Sequence, residues 1–456
     1  MRNANIVKSD RGQTIVIFAL ILPILILFAG LAIDVGLLYV TKAKLTTSVD
    51  AACLTGMKNL TLGQTTAGQL AIDMFQANFG PNPPVPTVTF PLDASNNQQV
   101  KVTATASVRT LFMQYLQQWA SVPVSATAVS TRGKLLMSLA LDRSGSMANN
   151  GGGVALQYAV PLFIANFSNT LDEVAMVSFS DNATVDFGIN YNFWGSGSGT
   201  ITTKVGAMSF AGGTFGTGAG SNPVLLTDPN GPPLSMAQKQ NDSVTILPGQ
   251  NVVKVVVYFT DGLMNTFQDK IHCGGIGNAT LTLLNWGGFD SGSNVDVFDP
   301  TSATNIFQPN YTGSGGFKYG NGSTLCTDAS GNVVNTFPSQ KWGTQKSFDQ
   351  TITVTPEAQY RAVQTAIAMR TEAPIPTYIY TIGMGTGVTT STQNFLAQLA
   401  NDPDPKYPVG TYIAGQPAGE FFYIPSCSGT YLPSCKTQLN TAFQTIAAKV
   451  LLRLTQ

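Results

Sequence analysis

Asp142, Ser144 and Ser146 stand at alternate positions in Asp-Arg-Ser-Gly-Ser, directly behind the apolar run Leu135-Leu136-Met137-Ser138-Leu139-Ala140-Leu141. One carboxylate and two hydroxyls are hard oxygen donors. Such a set suits Mg²⁺, which takes one or two carboxylates and keeps several waters. The same side chains also fit a helix N-terminus, where Ser or Asp accepts from an orphan backbone N–H. A second polar turn, Thr260-Asp261-Gly262, ends another apolar run at 252–259. Between the two lies Gly212-Gly213-Thr214, with Thr217 further along the same glycine-rich loop, and either threonine can supply a hydroxyl.

The elements around these turns read as alternating strands and helices. Both apolar runs have strand length and no alternation, as strands buried on two faces do. After the first loop Val154, Tyr158, Leu162, Phe163, Ala165 and Phe167 recur at mostly helical spacing and predict a core-facing stripe. Residues 174–179 and 183–187 predict a hairpin, 356–371 an amphipathic helix and 377–384 a further strand. A short helix starting near Phe395, a strand at 421–424 and a helix at 439–453 follow. The fold class is therefore α/β, a doubly wound sheet whose ligands bind at the carboxyl ends of its strands.

The pattern Asp-x-Ser-x-Ser, a middle loop with threonine, and a later strand ending in Asp-Gly resembles the von Willebrand factor A domain and its metal-ion-dependent adhesion site. The resemblance implies Ser144, Ser146 and Thr214 as direct ligands of Mg²⁺ (or Mn²⁺ or Ca²⁺), with Asp142 and Asp261 acting largely through water. It also implies a protein partner that offers a carboxylate to the metal. Enzymatic readings find little to build on. The chain has a single histidine, His272, and no Gly-x-x-x-x-Gly-Lys-Ser/Thr. Gly216-Thr217-Gly218-Ala219-Gly220 follows no strong strand and has the wrong spacing for a dinucleotide loop.

Only 11% of the 456 residues are charged and the net charge is zero, so no basic excess exists to neutralise phosphates and a nucleic-acid partner is excluded. From Ile15 to Ile33 nineteen residues carry no charge, enough to cross a ~30 Å hydrocarbon core as a helix. The run exceeds a signal-peptide core, which argues for a retained anchor. Pro23 predicts a kink. Asp34 follows where the span ends, so its carboxylate need not be buried. Leu38, Leu45, Val49, Ala52 and Met57 continue the helical pattern as a projecting stalk.

Arg11-Gly12 before the span, Pro23 within it, Gly30-Leu31-Ala32-Ile33-Asp34 at its end, and Lys42-Ala43-Lys44-Leu45 with Val49-Asp50-Ala51-Ala52 beyond resemble the TadE- and TadG-like proteins of tight-adherence (Flp) pilus systems. The residues 442–454 resemble the close of such proteins. The likeness implies a single-pass protein of the bacterial inner membrane, its bulk periplasmic, acting in pilus assembly or adhesion; the alternative is a structural or minor subunit of the filament. Pilin-like sequences carry Glu five residues after the processing glycine. Here that position is Ile17, so no cleavage is expected at Gly12.

The expected domains are 1–60 (N-terminus, membrane helix and stalk), 61–131 (a small α+β region) and 132–456 (the α/β domain). In the second, strands are read at 87–92, 100–108 and 122–130, a short helix at 111–119, and Phe112, Tyr115 and Trp119 as core. A polar, glycine-rich insertion interrupts the third at 265–352, its aromatics serving either recognition or a small core of its own. In an oxidising compartment Cys273–Cys326 and Cys427–Cys435 would be disulfides, leaving Cys53 as a small buried hydrophobe.

Overall fold

A computed structural model describes the chain from Arg11 to Leu454. Outside the described residues are 117–118, 150, 180–182, 211–232, several short stretches between 263 and 350, and 426 and 428–431; from 263 to 325 only strand backbones are described. The chain forms two compact units, meeting in sequence between Arg132 and Gly133.

The first unit begins with α1, a 48-residue helix (Arg11–Lys58) that carries Pro23 inside it. It continues with α2 (Gln64–Phe79) and a three-stranded antiparallel sheet of β1 (Thr87–Thr89), β2 (Gln98–Arg109) and β3 (Ser121–Arg132), in the order β1-β2-β3. The second half of α1 is no free stalk. Leu45, Val49, Ala52, Cys53 and Met57 are buried with Ala67, Ala71 and Phe75 of α2 and Val100, Val102 and Ala104 of β2. The expected boundary at residue 60 therefore separates nothing that packs apart. An 18-residue stretch at least of the Ile15–Lys58 helix is apolar enough to cross a membrane, at a mean hydropathy of 3.0. Cys53 donates to the Val100 carbonyl at 3.1 Å, and burial raises its thiol above the usual range. Among the described residues of 111–119, a 3-10 turn, Met113–Leu116, stands where a helix is expected.

The second unit is α/β. Its sheet strands are β4 (Lys134–Asp142), β5 (Glu173–Phe179), β6 (Ala183–Asn190), β7 (Val252–Thr260), β16 (Thr377–Met384) and β17 (Phe421–Ile424). They stand in the order β17-β16-β7-β4-β5-β6, all parallel except the β5–β6 pair. Alternate side chains sort to opposite faces, as the two-residue period of a strand requires. Leu135, Met137, Leu139, Leu141, Val255, Val257 and Phe259 join one core, and Ala140, Val256 and Tyr258 join the other.

Over the first core lie α4 (Gly152–Ile164) and α9 (Leu432–Leu454), with Phe163 stacked on Phe443 at 4.6 Å between ring centroids. Over the second lie α6 (Pro233–Asp242), α7 (Thr351–Arg370) and α8 (Thr390–Ala400). Two short helices, α3 (Gly145–Asn149) and α5 (Ile201–Gly206), are also present. The buried face of α4 is Ala155, Leu156, Ala159, Val160, Phe163 and Ile164, while the expected Val154, Tyr158 and Leu162 look outward. The helix is apolar on every side, so spacing alone does not single out its inner stripe.

The insertion is more ordered than its composition suggests. β8 (Thr266–Cys273), β9 (Gly277–Asn285), β10 (Val295–Phe298) and β11 (Ile306–Tyr311) form an antiparallel sheet in the order β11-β10-β9-β8. Two strand pairs follow, β12 (Lys318–Tyr319) with β13 (Thr324–Leu325) and β14 (Thr336–Pro338) with β15 (Gln345–Ser347). Cys427–Cys435 is a disulfide. Cys326 is also disulfide-bonded; the side chain of Cys273, its expected partner, lies outside the described residues.

Candidate metal centre

The order of strands places the turn after β4 and the turn after β7 side by side. Chain order reverses direction between these two strands, and such a switch point opens a crevice at their carboxyl ends. The pairing of Leu141 with Phe259 sets Asp142 next to Thr260. Asp142 uses both carboxylate oxygens there. One accepts from the Ser144 backbone N–H at 2.8 Å, and the other accepts from the Thr260 hydroxyl at 2.7 Å. A backbone bond from Arg143 N–H to the Phe179 carbonyl at 2.9 Å ties the loop to the end of β5.

The hydroxyls complete the constellation. Ser144 Oγ lies 2.9 Å from Ser146 Oγ, and Ser146 Oγ donates to Asp261 Oδ1 at 2.7 Å. Four of the five sequence-predicted residues, Asp142, Ser144, Ser146 and Asp261, thus meet in one hydrogen-bonded chain of hard oxygens. Asp142, Ser144 and Asp261 are buried, and Ser146 is exposed at the mouth. Thr214, and its rival Thr217, lie outside the described residues.

Burial pushes the Asp142 carboxyl above its ordinary range, against the pull of hydrogen bonds from Ser144 and Thr260. A buried carboxylate of this kind favours a positive neighbour. The Thr260 hydroxyl, which orients Asp142, was not among the predicted site residues. Its only sequence signal is its place beside Asp261 in the second turn. Behind that turn, Gly387 is pressed on the Asp261 carbonyl, where an added Cβ would come within 2.8 Å.

With the geometry in view, likeness to known proteins can be stated. Residues 12–59 match the family model "Putative Flp pilus-assembly TadE/G-like". The matched residues take in nearly the whole of α1. No curated protein matches the chain in sequence. Among solved structures, the PilB minor pilin from Streptococcus sanguinis is 13% identical, with 81% of this chain and 79% of that one covered at a TM-score of 0.36. The vWF domain of the type V pili tip protein Mfa5 from Porphyromonas gingivalis is 15% identical, with coverage of 71% and 97% and a TM-score of 0.36. A von Willebrand factor type A protein from Catenulispora acidiphila is 12% identical, with coverage of 82% and 51% and a TM-score of 0.34. These likenesses are loose, and the fold rests on this chain's own strand order.

Proposed function

We propose that the chain is a membrane-anchored pilus-assembly or adhesion protein that binds a protein partner through a divalent cation in its α/β unit. The observation that carries this reading is the convergence of Asp142, Ser144, Ser146 and Asp261 at the switch point between β4 and β7. All the donors are hard oxygens, two of them carboxylates, which fits Mg²⁺ or Mn²⁺. Ser144, Ser146 and Thr214 would hold the ion directly, and Asp142 and Asp261 would act largely through water, with Asp142 also orienting the first loop through the Ser144 N–H. When bound, the cation supplies an open coordination position that an acidic side chain of a partner can fill.

Binding suits this site better than hydrolysis. Asp142 is committed to Ser144 and Thr260, and Asp261 to Ser146, so neither is set as a free base. Residues 15–33, within the Tad-type segment, serve as the anchor in a bacterial inner membrane, with the bulk of the chain on the periplasmic side.

Partner recovery tests the reading. The full chain in detergent, immobilised and exposed to an envelope extract, is expected to retain its partner in Mg²⁺ and release it in EDTA. Added salt alone should weaken retention only in part, because a coordinated ion pair is shielded from screening. Asp142→Ala should behave in Mg²⁺ as the unaltered chain does in EDTA. Equal recovery in Mg²⁺ and EDTA would refute the cation bridge.

A further inference from the structure

Two of the three aromatics expected in the core of the first unit, Tyr115 and Trp119, are outside it, while Phe112 is half-buried. Tyr115 is 81% exposed, Trp119 48% and Leu111 52%. All three lie in the β2–β3 connection, and that connection is fastened to α1. Asp34 is buried rather than solvated, and its carboxylate accepts the backbone N–H groups of Leu111, Phe112 and Met113 at 2.7, 2.9 and 2.7 Å. One turn earlier the Phe112 ring lies on Gly30, where an added Cβ would meet it at 2.3 Å. The base of the connection is closed by the Thr110 hydroxyl, which donates to the Trp119 carbonyl at 2.6 Å.

This fastening fixes the depth of the connection along the helix. Gly30 and Asp34 bracket the end of the uncharged stretch from Ile15 to Ile33, whose large side chains are exposed along its length. The exposed apolar surface continues past Asp34 through Val35, Leu37, Tyr39 and Val40 on the helix. Leu111, Tyr115 and Trp119 extend the same surface sideways. Two physical requirements of a bilayer interface are met together. Backbone donors entering a poorly hydrated zone need partners, and Asp34 supplies them for three consecutive N–H groups. Tyr and Trp, apolar in body and polar at the tip, are the residues that settle at the headgroup level.

We infer that Leu111, Tyr115 and Trp119 of the β2–β3 connection form a second membrane contact, held by Asp34 at the outer interface of the bilayer that α1 crosses. The inference rests on the anchoring reading of residues 15–33. The occupant of this surface is lipid; a second copy or another protein in its place is an outcome the test separates.

The full chain is reconstituted in phosphatidylcholine vesicles whose acyl chains are brominated near the headgroup or near the bilayer centre. One of the four tryptophans is Trp119, so shallow bromine is expected to quench about a quarter of the emission, and Trp119→Phe to abolish that share. A Phe28→Trp change in the Trp119→Phe background reports on the anchor and should be quenched by deep bromine. Quenching of the Phe28→Trp reporter without quenching of Trp119 would overturn the loop contact and leave the anchor intact. Absence of both would overturn both readings. Asp34→Ala should free the connection and reduce Trp119 quenching while the deep reporter stays quenched; undiminished Trp119 quenching in that variant would overturn the role given to Asp34.

Discussion

Arg361→Ala is expected to cost about 3–5 kcal/mol of the stability of the 133–454 unit, because it strands a buried carboxylate. Glu357 and Arg361 face each other one turn apart on α7 at 2.6 Å, both almost wholly buried. Glu357 also accepts from the Ser339 hydroxyl and from the Gln340 and Lys341 backbone N–H groups, while Arg361 donates to the Pro338 carbonyl at 2.9 Å. The pair therefore clips the β14–β15 turn, the last part of the insertion, onto the helix that resumes the domain. Burial alone would raise the Glu357 carboxyl, but hydrogen bonds from Ser339 and Arg361 outweigh it and hold it below its ordinary 4.5. A lowered folded value stabilises above the unfolded value, and the gain is lost as pH falls through the folded one. The Arg361→Ala penalty should accordingly be largest in denaturant titrations near pH 7 and shrink as Glu357 takes up a proton in acid. A penalty that does not change with pH would remove Glu357 from the explanation.

Gly151→Ala should be the most damaging single methyl near the candidate site. Gly151 has φ +72°, and a Cβ there would lie 2.2 Å from the Cys427 carbonyl oxygen. The left-handed conformation costs a non-glycine residue about 1–2 kcal/mol. Overpacking adds about 1–3 kcal/mol, toward the upper end here because the neighbour is backbone and yields little. Relief requires the start of α4 to move, and that start follows α3 and the Asp142–Ser146 loop directly. The substitution is expected to lower thermal stability and loosen the hydroxyl chain together. A variant with unchanged melting temperature would show that the contact relaxes without effort.

What could be read from the sequence follows from how local each signal is. β4 and β7 were legible because a strand covered on both faces is a continuous apolar run, and the turns behind them carry oxygen donors at fixed spacing. Asp142, Ser144, Ser146 and Asp261 could therefore be brought together on paper. The inner face of α4 could not, since a helix apolar all round has no periodic contrast to detect. The burial of Asp34 is not legible for a different reason. Its partners lie 77 to 79 residues away, and nothing near position 34 announces them. The same contact holds Tyr115 and Trp119 at the surface, although aromatic residues in a short amphipathic segment predict core. The strands of the insertion are hard to see because Gln268, Asp269 and Lys270 break the apolar pattern of 266–273, and Gly277 and Asn278 open 277–285 with residues that strands disfavour.

The central claim is that the loops behind β4 and β7 form one cation site. Calorimetric titration of the full chain with Mn²⁺ tests it most directly, against Asp142→Ala and the double Ser144→Ala, Ser146→Ala variant, with circular dichroism as the check on folding. The account predicts saturable binding to the unaltered chain and affinity weaker by about 10–100-fold or more in both variants, with folded structure retained, because the altered side chains orient or supply ligands. Superimposable titration curves for the three folded proteins would contradict it.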